Sequence, residues 1–510
     1  MLLEEVARAS ADVAATRARL GKVSRLAECL AAAPGDEVAI ATSYLSGELP
    51  QGTVGVGWAA LRELPPPAEP PPTLALLELD ATVSRIAALS GPGSQAARRD
   101  ELRGLVARAT EPEQRFLASL LLGELRPGAL EGIVTDAVAK AARVPAAAVR
   151  RAAMLAGALG PVAEAAIVDG REGLDCFRLT PLVPIKPMLA QTADDLAEAL
   201  GRIESARLEW KLDGARIQVH RHGTEVRAFT RNLADITDRV PEIVDAALAL
   251  DVEAVVLDGE AIALRQNGRP LPFQETMSRF GSRIGVAEQR RSVPLSPFFF
   301  DCLHLDGEDL LDRPARERLH ELAGQVPDVL LVPSLETSDT AVAEAFFDDA
   351  LARGHEGVMV KELGAVYEAG RRGAGWLKVK RAHTLDLVVL GAEWGHGRRT
   401  GFLSNLHLGA RDPESGGFVM LGKTFKGMTD ELLAWQTGRL LELESGRQGH
   451  AVLVRPELVV EIAFDGVQAS PRYPGGVALR FARVKGYRPE KRADEADTIE
   501  TVRAIHAGTK

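Results

Sequence analysis

The sequence predicts a multidomain fold: an all-α N-terminal region, an α+β middle region and a strand-rich C-terminal region. Three observations predict it. Apolar residues recur three and four apart through residues 1–175. At "RLTPLVPIKPMLA" (178–190) the texture changes to short alternating runs with turn residues between them. A further strand-rich stretch opens at "LDLVVLGAEWGHG" (385–397). The 510 residues are enough for roughly three domains, and the boundaries expected are 1–177, 178–384 and 385–510.

In the first region, "LEEVARASADVAATRARLGKVSRLAECLAAA" (3–33), "PEQRFLASLLLGEL" (112–125) and "LEGIVTDAVAKAARV" (130–144) all carry the helical period. "LPPPAEPPPT" (64–73) is a stiff connector inside that region. In the second, "RIQVHRHGTEVRAFT" (216–230) reads as a hairpin around Gly223. "VVLDGEAIALRQNGRP" (255–270) reads as a strand pair turning at Asn267-Gly268. "SPFFFDCLHLDG" (296–307) and "GVMVKEL" (357–363) are further strands, with helices at "ADDLAEALGRI" (193–203) and "DTAVAEAFFDDALARG" (339–354). The third region adds one helix, "TDELLAWQTGRLLELE" (429–444).

Composition narrows the class. Hydrophobic residues make up 46% and aromatics 5%, so the cores should be rich in Ala, Leu and Val. Three scattered cysteines lack C-x-x-C spacing and can build neither a disulfide framework nor a four-cysteine zinc site, which fits a reducing cytoplasm. No signal peptide and no apolar span for a bilayer is expected. The net charge of −10 argues against nucleic acid only weakly, because local patches decide binding.

The chemistry gathers in the middle region. "EWKLDGARIQVHR" (209–221) alternates like a strand yet places Lys211 two residues before Asp-Gly. In "WLKVK" (376–380) a period of two sets Lys378 and Lys380 on one face and Leu377 and Val379 on the other. Lysines and glutamates recurring at strand ends suit a triphosphate and a divalent metal. Taken singly, these residues have bland readings. Asp-Gly at 213–214 and 258–259 could each be a turn, Phe300 could be core, Arg216 and Arg231 could be surface charges, and Lys361 could merely neutralise a carboxylate.

Six motifs occur in order: "KLDGAR" (211–216), "FTRN" (229–232), "LDGE" (257–260), "FFFD" (298–301), "EGVMVK" (356–361) and "WLKVK". This ordered set resembles the covalent nucleotidyltransferases, and the whole chain resembles bacterial ATP-dependent DNA ligases, actinobacterial three-domain ones among them. The resemblance implies a helical DNA-binding domain, an ATP-grasp-like nucleotidyltransferase (adenylation) domain and a C-terminal β-barrel OB-fold. It implies that Lys211 attacks ATP, releases pyrophosphate and carries AMP. Glu209 and Phe300 would read and stack on adenine, and Arg216 and Arg231 would touch the sugar or the nick phosphate. Glu260 and Glu356 would bind ribose and metal, with Mg²⁺ as cofactor, and Lys378 and Lys380 would bind phosphates. Arg488 and Lys491 would orient the leaving pyrophosphate, although R-P-E-K stands here where R-x-D-K is usual. The partners implied are ATP and nicked duplex DNA, with a monomer expected. An RNA ligase, a GTP-using capping enzyme and a non-catalytic DNA-binding scaffold are the rival readings.

Two further expectations concern cations. "GFVMLGKT" (417–424) matches a P-loop pattern but has strand composition and no adjoining helix, so Lys423 is expected on an exposed strand. Arg150 and Arg151, the turn at 125–132, "GHGRRTG" (395–401) and the basic run 480–492 are the candidate DNA patches.

Overall fold

The computed structural model describes residues 1–61, 64–125, 131–281, 284–369, 373–381, 383–396 and 399–508. From Leu3 to Asp175 the named elements are all helices. The stretch 3–33 forms two, Leu3–Ala15 and Arg19–Ala32, burying Leu3, Val6, Val13, Val23, Leu26 and Leu30 along one stripe. Helix Glu111–Leu121 starts at a capping box in which the Thr110 N–H donates to Glu113 at 2.8 Å. The proline-rich stretch lies between helices Trp58–Leu61 and Leu76–Ala88, as expected of a connector. Residues 126–130 of the expected turn lie outside the described residues.

The middle region carries β1 (Ala190–Thr192), β2 (Ala206–Trp210), β3 (Ala215–His222), β4 (Glu225–Thr230), β5 (Ala254–Ala263), β6 (Leu295–Leu305), β7 (Glu308–Asp309), β8 (Ser334–Glu336), β9 (Gly357–Glu362) and β10 (Gly373–Lys380). They form two sheets, β1-β10-β9-β2-β8 and β4-β3-β5-β6-β7. Helices Leu196–Gly201 and Thr340–Ala352 cover the outer face of the first, packing Leu196, Ala199, Ala343 and Ala350 on Leu208, Val358 and Val360. Helices Pro241–Leu248 and Ala315–Gln325 cover the second. Between the two sheets lie Met188, Val256, Leu303, Tyr367 and Trp376, joined by Met154 and Leu155 from the helical region.

The hairpin at Gly223 forms as expected, with His222 opposite Glu225 and Gly223 at φ +58°. The second expected hairpin does not. Asn267-Gly268 turns the chain, with Gly268 at φ +77°, but the return is a single bridge between Leu264 and Pro270. Pro270 and Pro272 cannot donate to a ladder, so the chain runs into helix Phe273–Gly281 instead. The turn reading at Asp258-Gly259 also fails, because both residues lie inside β5.

The C-terminal strands are β11 (His383–Trp394), β12 (Leu403–Asp412), β13 (Gly417–Thr424), β14 (Glu444–Gln448), β15 (Ala451–Val454), β16 (Val459–Phe464), β17 (Gly466–Ala469), β18 (Val477–Arg480) and β19 (Arg483–Tyr487). β11 pairs with β16 through its first half and with β12 and β15 through its second. β19 lies on β16, and its Val484 N–H donates to Lys426 O, just past β13, at 3.0 Å. That contact curls the sheet toward a barrel around Leu387, Leu406, Leu421, Leu433 and Ile462. The expected helix is Asp430–Glu442, capped by Thr429. A second helix, Ile499–Gly508, was not expected; it is buried through Ile499 and Val502.

The sequence "GFVMLGKT" is β13 throughout, and the next helix begins only at Asp430. Lys423 is not bare: it is half-buried and pairs with Glu393 on β11, which also accepts from Asn405 at 2.8 Å.

Candidate active site

The site is the cleft between the two middle sheets, a cavity of ≈ 380 Å³. Its reactive end is built by backbone pairing. The Lys211 N–H donates to Gly357 O at 2.8 Å, and the Glu356 N–H donates to Lys211 O at 3.0 Å. This exchange ties the chain leaving β2 to the start of β9 and sets the two side chains face to face, Lys211 Nζ 2.5 Å from Glu356 Oε2. Lys380, from the end of β10, reaches the same oxygen at 2.8 Å. Two glycines permit this close assembly. A Cβ on Gly214 would lie 2.4 Å from Ala261 O, and one on Gly357, at φ +139°, would lie 2.3 Å from Val379 O.

The other end is apolar. Phe300 of β6 and Trp376 of β10 meet edge to face, ring centroids 5.8 Å apart, with Met359 beside them on the cavity wall. Glu209 is buried behind this slot, 2.7 Å from Lys361, which also donates to Phe300 O at 2.9 Å. Lys361 therefore neutralises a carboxylate, and its ammonium lies 4.4 Å from the centroids of both rings. Arg216 of β3 forms the wall between the two ends. Its guanidinium grips Asp258, donates to Met188 O at 2.8 Å and lies over Phe300 at 5.1 Å. Asp258 in turn accepts from the Tyr367 hydroxyl at 2.7 Å.

The charges are strongly perturbed. Burial lowers the Lys211 ammonium, but Glu356, with Glu260 and Asp213 behind it, outweighs burial and leaves its pKa raised. Glu356 suffers burial yet is held down at about 2 by Lys211 and Lys380. Burial pushes Glu260 up to about 7 in spite of Lys211 and Arg216. Glu209 is likewise raised by burial, against the pull of Lys361.

The cavity therefore brings together Glu209, Lys211, Arg216, Glu260, Phe300, Glu356, Lys378 and Lys380, with the exposed Arg231 at its rim. It does not bring Arg488 and Lys491. Arg488 is held 2.5 Å from Glu490 and 3.4 Å from Asp386, and Lys491 pairs with the same Asp386. Their place at the mouth is taken by Arg480 and Phe481. Arg480 forks Asp213 at 2.7 and 3.2 Å and lies over the Phe273 ring at 4.6 Å. Sequence reasoning missed Asp258, Tyr367, Trp376 and Arg480 as site residues. The first and third sit inside quoted motifs; Arg480 carried no signal beyond a basic run.

The candidate DNA arginines are engaged in pairs. Arg150 binds Asp136 at 3.0 Å, and Arg151 forks Asp312 of the middle region at 2.6 and 2.7 Å. Residues 397–398 of the "GHGRRTG" patch lie outside the described residues. Among the described residues no group of three metal-ligating side chains occurs, and no helix is long and apolar enough to cross a membrane.

Comparison with known proteins agrees with this geometry. The family model for the ATP dependent DNA ligase domain matches residues 187–380, that for the ATP dependent DNA ligase C terminal region matches 399–491, and that for the DNA ligase N terminus matches 58–139. A probable DNA ligase of Anaeromyxobacter dehalogenans (strain 2CP-C) is 62% identical over 513 residues, covering 100% of both chains. One of Mycolicibacterium gilvum (strain PYR-GCK) is 59% identical over 99% of each. The solved structure described as Pmar-Lig_PreS3 shares the fold at TM-score 0.64 and 19% identity, over 95% of this chain and 99% of its own. Three consecutive family models, relatives this similar along the whole length and six ordered motifs converging on one cleft place the chain in the ATP-dependent DNA ligase family.

Proposed function

We propose that this chain seals 5′-phosphate/3′-hydroxyl nicks in duplex DNA through a lysyl–AMP and then a DNA-adenylate, with Lys211 as the nucleophile. The observation that carries the reading is the cleft itself, with an aromatic slot of Phe300 and Trp376 at one end and Lys211 among Glu356, Lys378 and Lys380 at the other. Adenine fits the slot, where buried Glu209 can accept from its amino group, and the phosphates then run toward the lysines. Lys211 Nζ attacks the α-phosphorus, the N–P bond forms, and the P–O bond to pyrophosphate breaks. The nick's 5′-phosphate oxygen then displaces Lys211 from the AMP. The 3′-hydroxyl finally attacks the adenylated phosphate and AMP leaves.

Lys211 needs a free lone pair, yet next to Glu356 it rests as an ammonium. Glu356 holds that proton on Nζ, and Lys380 competes for the same carboxylate oxygen. The residues fit a divalent cation. The Glu260 side chain lines the cavity within the field of Lys211 and Arg216, and Glu356 stands nearby; two carboxylates plus substrate phosphates and water suit Mg²⁺. Bound there, the cation would neutralise phosphate charge and favour the free amine. Lys378 and Lys380 hold phosphate oxygens, and Arg216, fixed by Asp258, keeps the sugar end shaped.

We assign residues 1–177 to gripping the duplex, 178–384 to the adenylate chemistry and 385–510 to closure over the cleft. Intact mass after incubation with ATP and Mg²⁺ tests the chemistry. A gain of one AMP that vanishes in Lys211→Ala is expected, and labelling by GTP instead would favour the capping-enzyme reading.

A further inference from the structure

We propose that Asp465 of the C-terminal barrel is a positioning residue that makes docking of the barrel and binding of a nucleoside triphosphate mutually exclusive. The inference rests on reading Lys380 as a phosphate-binding lysine. Asp465 stands between β16 and β17, next to the end of β18, where its N–H donates to Arg480 O at 3.0 Å and Gly466 lies opposite Arg480. The β17–β18 hairpin thus presents one anion and one cation side by side. Each meets its opposite across the cleft: Arg480 forks Asp213, and Asp465 Oδ2 lies 3.2 Å from Lys380 Nζ. Arg483 holds the other Asp465 oxygen at 3.4 Å, which aims the carboxylate.

Lys380 already shares the Glu356 carboxylate. A second carboxylate on the same ammonium occupies a position where a phosphate oxygen would sit, and it meets an incoming triphosphate as a like charge. The docked arrangement also withholds two cations, because Arg488 and Lys491 are bound to Asp386 on the barrel itself, while the cation it does present, Arg480, is taken up by Asp213. A nucleotide without β- and γ-phosphates lacks the charge that would be repelled. The docked barrel therefore accepts an adenylate and rejects ATP. The consequence is order: while a DNA-adenylate is being sealed, fresh ATP cannot enter and re-adenylate Lys211.

The test uses the full chain freed of AMP by pyrophosphate, a nick carrying a preformed adenylate, and α,β-methylene ATP, whose α–β bridge cannot release pyrophosphate. Single-turnover sealing by the wild type should resist this analogue. Asp465→Asn should seal without inhibitor, and the analogue should inhibit it at concentrations about tenfold lower or less, the scale of relieving a like-charge contact. Asp465→Glu, which keeps the charge, should behave as wild type. Equal inhibition of wild type and Asp465→Asn would overturn the proposal, and so would sensitivity of Asp465→Glu equal to that of Asp465→Asn, which would mark a shape effect. Lys380→Ala separates the underlying reading: undiminished lysyl–AMP formation would sink the phosphate role of Lys380, whereas slow formation with an inert Asp465→Asn would sink this inference alone.

Discussion

Glu260 offers a measurable cost of building the cleft. Its carboxyl is driven from 4.5 to about 7 chiefly by burial. At 1.36 kcal/mol per pH unit, that rise means the ionised group destabilises the empty protein by about 3 kcal/mol. The sign follows from the raised value. Below pH 4.5 the folded and unfolded chains both hold the proton, and nothing is lost. Between pH 4.5 and about 7 the unfolded chain ionises first, so stability falls as pH rises, and above about 7 the full cost is present. Glu260→Gln removes the charge and keeps the shape. In metal-free, nucleotide-free protein at pH 8, the Gln variant should melt higher by roughly 6–12 °C, taking about 3 kcal/mol over a unit the size of the middle region. At pH 4.5 the two proteins should melt together. Adding Mg²⁺ at pH 8 should narrow the gap by stabilising only the carboxylate form. Scanning calorimetry at the two pH values reads this directly. A Gln variant no more stable than wild type at pH 8, or a gap independent of pH, would refute the argument that the burial of Glu260 outweighs the attraction of Lys211 and Arg216.

Lys211→Ala should abolish AMP labelling while keeping measurable sealing of a pre-adenylated nick, read by gel; an alanine variant that still gains AMP would remove Lys211 as nucleophile. Arg488→Ala with Lys491→Ala should slow lysyl–AMP formation by about a hundredfold, the scale of losing preorganised charge stabilisation, and barely change sealing of a pre-adenylated nick. Lys423→Ala should leave labelling near wild type, since its partner is Glu393 on the barrel. Arg318→Ala should destabilise the middle region by about 3–5 kcal/mol in urea titration, because it strands the buried Asp301, now held at 2.8 Å.

What was legible in the sequence came through the ordered motifs and the resemblance they carry: these name Lys211, Lys378, Lys380, Glu260 and Glu356 as candidates, and all five line one cavity. Supporting residues were harder to see. Asp258 looked like half of a turn, yet it sits in β5 and fixes Arg216. Lys361 was weighed as a mere neutraliser, and its contact with both rings of the slot depends on β6 and β10 lying against β9, which no local pattern encodes. Arg480 lies 267 residues from Asp213 along the chain, so their pairing exists only through the docking of one region on another. The expectation of a return strand after Asn267-Gly268 rested on the turn signal alone and took no account of Pro270 and Pro272, which cannot donate to a ladder.

The resting cleft is electrostatically closed on itself. Lys211 and Lys380 share Glu356, Asp213 is held by Arg480, and Arg488 and Lys491 share Asp386. Lys211, Lys380, Arg216, Arg488 and Lys491 thus each have an internal carboxylate to exchange for a phosphate oxygen. Exchange of one partner for another costs less than desolvating a bare charge. Arg488 and Lys491 lie outside the cleft, so the pyrophosphate role proposed for them would need the barrel to move, and such a movement would part Arg480 from Asp213 and Asp465 from Lys380. On the proposal made above for Asp465, the order of the steps would then be carried by which carboxylates the barrel satisfies.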